Sequence, residues 1–224
     1  MVASTLYGSE RQYYGQLYEG ASMQTDEWLY KRIFGDTRDL FFVECGALNG
    51  LSLSNCRFFE ENLGWTGVNV EPTSAFDDLV INRPRCLNLK LALSDVDHAE
   101  ICLHENLENL ACSSSEREIA APSSFLDGKE MESVLRPRRV ATLTFASLMR
   151  WLRIDRVDLF SLDVEGMELA VLRGMQGSPV MPRFLFVETL HTDRRELDRQ
   201  LDVLGYFKIE DFHIDALYGL RVCP

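Results

Sequence analysis

Phe41-Phe-Val-Glu44-Cys-Gly46-Ala-Leu-Asn-Gly50, an amphipathic stretch, and then Gly67-Val-Asn-Val-Glu71-Pro72 decide the fold of this chain. An apolar run ending in an acid, a turn holding two glycines, a helical pattern and a second apolar run ending in an acid make one β-α-β unit. That order of parts describes a nucleotide pocket. A side chain at Gly46 or Gly50 would hold the backbone away from a ligand on the helix N-terminus. Glu71 stands where an acid accepts hydrogen bonds from ribose hydroxyls.

The missing parts narrow the ligand. A dinucleotide fingerprint needs three glycines to cradle a pyrophosphate, and only Gly46 and Gly50 are present, three residues apart. Glu44, at the end of the first strand, suits an ammonium or sulfonium better than phosphates. S-adenosylmethionine (SAM) carries adenine, ribose and an amino acid tail, and it fits. A nicotinamide enzyme is disfavoured by the absent third glycine.

Composition sets the outer bounds. The 224 residues suffice for one well-buried α/β domain spanning 1–224, with a helical segment over 1–38. Apolar content of 46% and charged content of 26% are those of an ordinary globular protein. A net charge of -12 argues against a surface built to neutralise phosphates, so nucleic acid and anionic membranes are not expected partners. No apolar run approaches a membrane span and no signal-peptide core opens the chain, so a soluble, cytoplasmic protein is expected. The six cysteines show neither C-x-x-C nor zinc spacing. With Cys45, Cys86 and Cys102 inside apolar runs, they read as reduced core thiols.

Periodicity supplies the rest of an α/β chain with a mostly parallel sheet, helices on both faces and a closing antiparallel hairpin. The expected strands are 40–45, 67–70, 86–93, 99–104, 140–145, 157–163 and 184–189, with the hairpin over 206–210 and 217–222. The expected helices are 25–34, 54–63, 74–80, 146–152, 166–173 and 193–204. From Glu105 to Arg139 the pattern gives way to Ser, Ala, Pro and charge, as in a lid or substrate loop.

In an open parallel sheet the ligand lies beyond the carboxyl ends of the strands. Glu44, Glu71, Asp163 and Glu188 all fall there, with Ser94-Asp95 at the third end. Asp163 points into the expected cleft, whereas Glu165 and Glu168 have a structural explanation as acids in a first helical turn. Glu188 and His191 follow the fifth strand. Methyl transfer to a hydroxyl requires alignment, exclusion of water and removal of a proton, for which His191 is the candidate base with Glu188 orienting it. Asp163, Glu188 and His191 would also serve a hard divalent ion, an alternative that the sequence alone does not favour.

With Phe42-Val-Glu-Cys-Gly-Ala-Leu-Asn-Gly50, Ser54-Asn55, Gly64-Trp-Thr-Gly67, Val70-Glu-Pro72, Ala92-Leu-Ser-Asp95 and Leu162-Asp-Val-Glu-Gly-Met-Glu168 in this order, the chain resembles the FkbM-type SAM-dependent methyltransferases over about 22–205. The resemblance implies a Rossmann-like methyltransferase sheet and methylation of a hydroxyl on a saccharide or secondary metabolite. By position it implies that Glu44, Gly46, Ala47, Asn49 and Gly50 surround the methionine part of SAM. Glu71 with Pro72 would hold ribose, Leu93 and Ser94 would border adenine, and Asp163 would lie near the methyl. Ser54 and Asn55 belong to the same matched pattern. Ser22-Met-Gln24-Thr-Asp26 is similar to a segment that lays Gln24 over the cofactor in part of the family, although capping of a helix explains it as well. A SAM-binding protein without turnover remains the reading from another class.

Overall fold

The computed structural model describes residues 11–120 and 134–221. Its main sheet has seven strands: β1 (Phe41–Cys45), β2 (Thr66–Val70), β3 (Leu87–Leu89), β7 (Leu159–Leu162), β8 (Phe184–Glu188), β9 (Tyr206–Phe212) and β10 (Asp215–Leu220). Their spatial order is β3-β2-β1-β7-β8-β10-β9. The pairs β3/β2, β2/β1, β1/β7 and β7/β8 are parallel, and β10 runs antiparallel to both neighbours. This is the Rossmann-like methyltransferase arrangement with its C-terminal hairpin. The chain reverses direction across the sheet beside β1, which opens a crevice at the carboxyl ends of β1, β2 and β7.

Side-chain alternation builds two cores on the sheet. Val43, Val68, Phe160, Leu162, Leu185 and Val187 pack against α5 (Phe145–Leu152), α6 (Glu168–Arg173) and α7 (Arg194–Val203). Phe42, Leu159 and Phe186 face the other way, toward α1 (Thr25–Leu29) and α2 (Arg57–Leu63). That second core is aromatic: Phe34 meets Phe59, Trp65 and Phe184 edge-on, and Phe59 stacks on Trp65. Helix α1 continues as a π-helical turn over Tyr30–Phe34. Helix α3 (Phe76–Asn82) joins β2 to β3.

Three expectations change. The run 86–93 is not one strand: β3 ends at Leu89, and β4 (Ala92–Leu93) turns into a second, three-stranded sheet. There β6 (Leu135–Leu143) lies between β4 and β5 (Glu100–Asn106). The expected loop over 105–139 therefore loses both ends to this sheet. Inside it lie a 3-10 turn (Leu110–Cys112) and the short helix α4 (Arg117–Ala120), while 121–133 are outside the described residues. Cys45, Cys56 and Cys86 are buried and unbonded, but Cys102 is exposed on β5 rather than in a core. Cys223 lies outside the described residues. Among the described residues no helix is long and apolar enough to cross a membrane.

Candidate active site

A cavity of about 310 Å³ occupies the crevice. Its floor is Cys45, Gly46 and Leu48 after β1, one wall is Glu71 to Thr73 after β2, and Ala92 with Leu93 closes the side of the small sheet. Opposite stand Asp163 to Glu165, Glu188 and Asp215. Leu110 to Ser113 form a rim, and Gln16, Tyr18, Thr25 and Asn55 reach in from the N-terminal side.

The turn after β1 is shaped by protein rather than by a ligand alone. Gly46 has φ +86°, and a Cβ there would lie 1.8 Å from the carbonyl oxygen of Asp163. The glycine thus lets the β1 and β7 turns touch, and Gly46 N and Ala47 N both donate to Val70 O, at 3.0 and 3.3 Å. At Gly50, φ is +74° and a Cβ would meet Leu79 and Arg83 at 2.6 Å. Helix α2 starts only at Arg57, so the loop 46–56, not a helix end, forms this edge of the cavity.

Glu71 is buried in the wall. Its Oε2 accepts from Leu48 N at 2.7 Å and its Oε1 from Thr73 N at 2.8 Å, which fixes the carboxylate while leaving lone pairs for further donors. Burial nevertheless raises its pKa against those hydrogen bonds. Asn55 also lines the cavity; its Nδ2 donates to Ser161 Oγ at 3.0 Å and its Oδ1 accepts from Thr25 Oγ1.

Glu44 takes a different course from the one expected. Strand alternation sends Cys45 to the cavity and Glu44, like Phe42, to the opposite face. There it accepts from Ser54 Oγ at 2.8 and 2.9 Å and from Cys56 N at 3.2 Å, and pairs with Arg83 at 3.4 Å. Arg83 is itself buried and also holds Glu60. Glu44 and Ser54 therefore brace the 46–56 loop from behind.

Of the other sequence candidates, Gly46, Pro72, Leu93, Asp163 and Glu188 line the cavity, whereas Ala47, Gly50, Ser94 and His191 do not. Asn49 turns its Oδ1 to Leu51 N and Ser52 N, at 2.9 and 3.0 Å. Gln24 donates to Gly15 O at 2.9 Å and is not in the wall, while its neighbour Thr25 is.

Beyond the donor side, carboxylates converge. Asp163 is raised well above the usual range by burial and by Glu188, Glu165, Asp215 and Glu168 around it. Burial, with Glu165, Glu168 and Asp215 nearby, pushes Glu188 up to about 9; burial and Glu168 push Glu165 to about 7, and Asp215, raised chiefly by burial, reaches about 7. Tyr18 donates to Asp215 Oδ2 at 2.6 Å. Glu188 Oε2 is buried with no hydrogen-bond partner among the described residues. His191 stands at the edge of the group, with Nε2 3.3 Å from Glu165 Oε2. Glu165, not Glu188 as expected, is thus the carboxylate against the imidazole. Glu168 does have the structural part expected of it: Oε1 accepts from Val164 N and Gly166 N, and Oε2 from Thr192 Oγ1.

Sequence reasoning missed Tyr18, Glu165, Asp215 and the Leu110 to Ser113 rim. Asp215 was findable: β10 is antiparallel, so its first residue and not its last reaches the crevice. Tyr18 precedes any periodic element and carries no signal. Chemically, the arrangement offers a fixed acceptor for hydroxyls at Glu71 and a cluster of carboxyl groups at Asp163, Glu165 and Glu188 whose ionised forms a cationic group would favour.

Residues 44–214 match the family model for the methyltransferase FkbM domain. No curated protein sequence matches the chain. Among solved structures, the METTL16 MTase domain is similar at 9% identity with a TM-score of 0.47, covering 88% of this chain and 66% of that one. TrmK of M. capricolum, solved with S-adenosyl-homocysteine, is similar at 6% identity and TM-score 0.42, covering 87% and 65%. The chain thus spans just under two thirds of the length of each. The Methanococcus jannaschii fibrillarin pre-rRNA processing protein is similar at 9% identity and TM-score 0.43, covering 84% and 69%.

Proposed function

Because the chain belongs to the methyltransferase FkbM domain family, we propose that it transfers a methyl group from SAM to a hydroxyl of a saccharide or another small metabolite. The observation that carries this reading is the one cavity wall that joins Glu71 to the carboxylates at Asp163, Glu165 and Glu188. Bound SAM supplies an electrophilic methyl on a sulfonium. Glu71, pinned by Leu48 N and Thr73 N, accepts hydrogen bonds from ribose hydroxyls, and Leu93 packs on the base. Asp163 places negative charge beside the sulfonium and ammonium groups. The cationic donor in turn lowers the Coulomb cost of keeping these carboxylates ionised in a buried site.

On the acceptor side, burial and neighbouring carboxylates push Glu188 up to about 9, so near neutral pH it donates to an acceptor oxygen rather than removing a proton. His191 stands at this edge with Nε2 turned to Glu165, so its Nδ1 is the nitrogen to take the hydroxyl proton. Tyr18 and Asp215 bound the space left for the acceptor.

The test is incubation with methyl-labelled SAM and a panel of glycans and polyketides. Label on a hydroxyl, with turnover reduced about 100-fold or more in His191→Ala, supports the reading. SAM binding without transfer to any acceptor would favour a silent SAM-binding protein, and NAD binding without SAM binding would refute the donor assignment.

A further inference from the structure

We propose that Glu165, Glu188 and His191 form a divalent-cation site at the acceptor edge of the cavity. One carboxylate oxygen from each acid and one imidazole nitrogen lie within 4.8 Å of one another. The three come from separate segments: the turn after β7, the end of β8 and the loop that follows it. An ion with ligands at about 2.1 Å needs neighbouring donor atoms roughly 3 to 4 Å apart, so small side-chain movements close this set around one ion.

A second observation points independently to a ligand. Glu188 lines the cavity, and its buried Oε2 has no hydrogen-bond partner among the described residues, although a buried carboxylate oxygen is costly to leave unsatisfied. Its residue is only 5% exposed. No Lys or Arg among the described residues makes an ion pair with Glu165 or Glu188. A cation supplies what the protein withholds.

The donor chemistry selects the ion. Two hard oxygens and one imidazole suit Mn²⁺ or Mg²⁺ better than a soft metal, and a thiolate is absent from the set. Three protein ligands leave positions open toward the cavity, where two vicinal hydroxyls of an acceptor fit. A hydroxyl on the ion loses its proton to water at a lower pH than a free one. His191 then acts as a ligand, not as a free base. This consequence rests on the methyl-transfer reading; the binding of the ion does not.

The experiment uses the chelator-treated chain without SAM, titrated with Mn²⁺ and followed by loss of the aqueous Mn²⁺ electron paramagnetic resonance signal. One Mn²⁺ per chain is expected, weakened at least tenfold in His191→Ala and in Glu165→Gln. His191 is partly exposed, so its variant folds even if a change at buried Glu188 does not. Absence of binding, or binding that is unchanged in both variants, overturns the site. SAM titrated separately into the metal-free chain tests the other reading. Mn²⁺ bound without SAM upholds the site and refutes methyl transfer, whereas SAM turnover that persists in chelator, with no Mn²⁺ bound, refutes the site alone.

Discussion

Asp26 shows how one residue in this fold trades solvation for position. Its carboxylate accepts from Tyr14 N at 2.7 Å and from Glu27 N at 2.9 Å, which fastens the N-terminal segment bearing Gln16 and Tyr18 across the cavity. Burial outweighs these hydrogen bonds and pushes its pKa from 3.8 to about 6. The groups facing it are those backbone N–H donors, the Tyr14 phenol and the Cys56 thiol. The folded state therefore binds a proton more tightly than the unfolded one. Its contribution is fully present below the unfolded pKa and is lost as pH rises through the folded value, a loss of roughly 3 kcal/mol. The stability difference between wild type and Asp26→Asn, from urea melts, should fall between about pH 4 and 7; a flat difference would contradict this. Gly46 makes a sharper residue-scale test. Gly46→Ala forces a Cβ onto the Asp163 carbonyl at positive φ and should cost more than about 3 kcal/mol in the same melts, since the obstacle is backbone.

At the scale of elements, the turn after β7 and the loop after β8 act together through Glu168. This buried acid on α6 ties Val164 N and Gly166 N to Thr192 Oγ1, and so sets Glu165 opposite His191. Glu168→Ala leaves three donors unpartnered and should cost roughly 3 kcal/mol while also weakening Mn²⁺ binding. Asp193, the N-cap of α7, accepts from Arg195 N and Glu196 N. Asp193→Ala should cost only about 1 kcal/mol, so thermal melts of the two variants separate a cap from a brace. Most elements were legible because apolar runs and 3.6-residue periods end at acids and glycines: β1, β2, β7 and β8 fall within two residues of expectation. The break at Lys90-Leu91 was not legible, because an apolar run reads alike whether it stays in one sheet or crosses into another. Glu44 was readable in place but misread in direction, although alternation with Cys45 across β1 carries that information.

For the whole molecule, the parallel sheet places Glu71 and the acids of the β7 and β8 ends around one crevice, where burial and mutual repulsion raise the pKa of Asp163 and Glu188. A positively charged donor should therefore stabilise the entire fold. At about 100 times its dissociation constant, SAM should add roughly 2.7 kcal/mol to the unfolding free energy, visible as a rise in Tm. The most direct measurement is isothermal titration of SAM into the chain and into Glu71→Ala. The account predicts one SAM per wild-type chain and at least tenfold weaker binding in the variant. No heat of binding to the wild type, or equal affinity for both proteins, would contradict it.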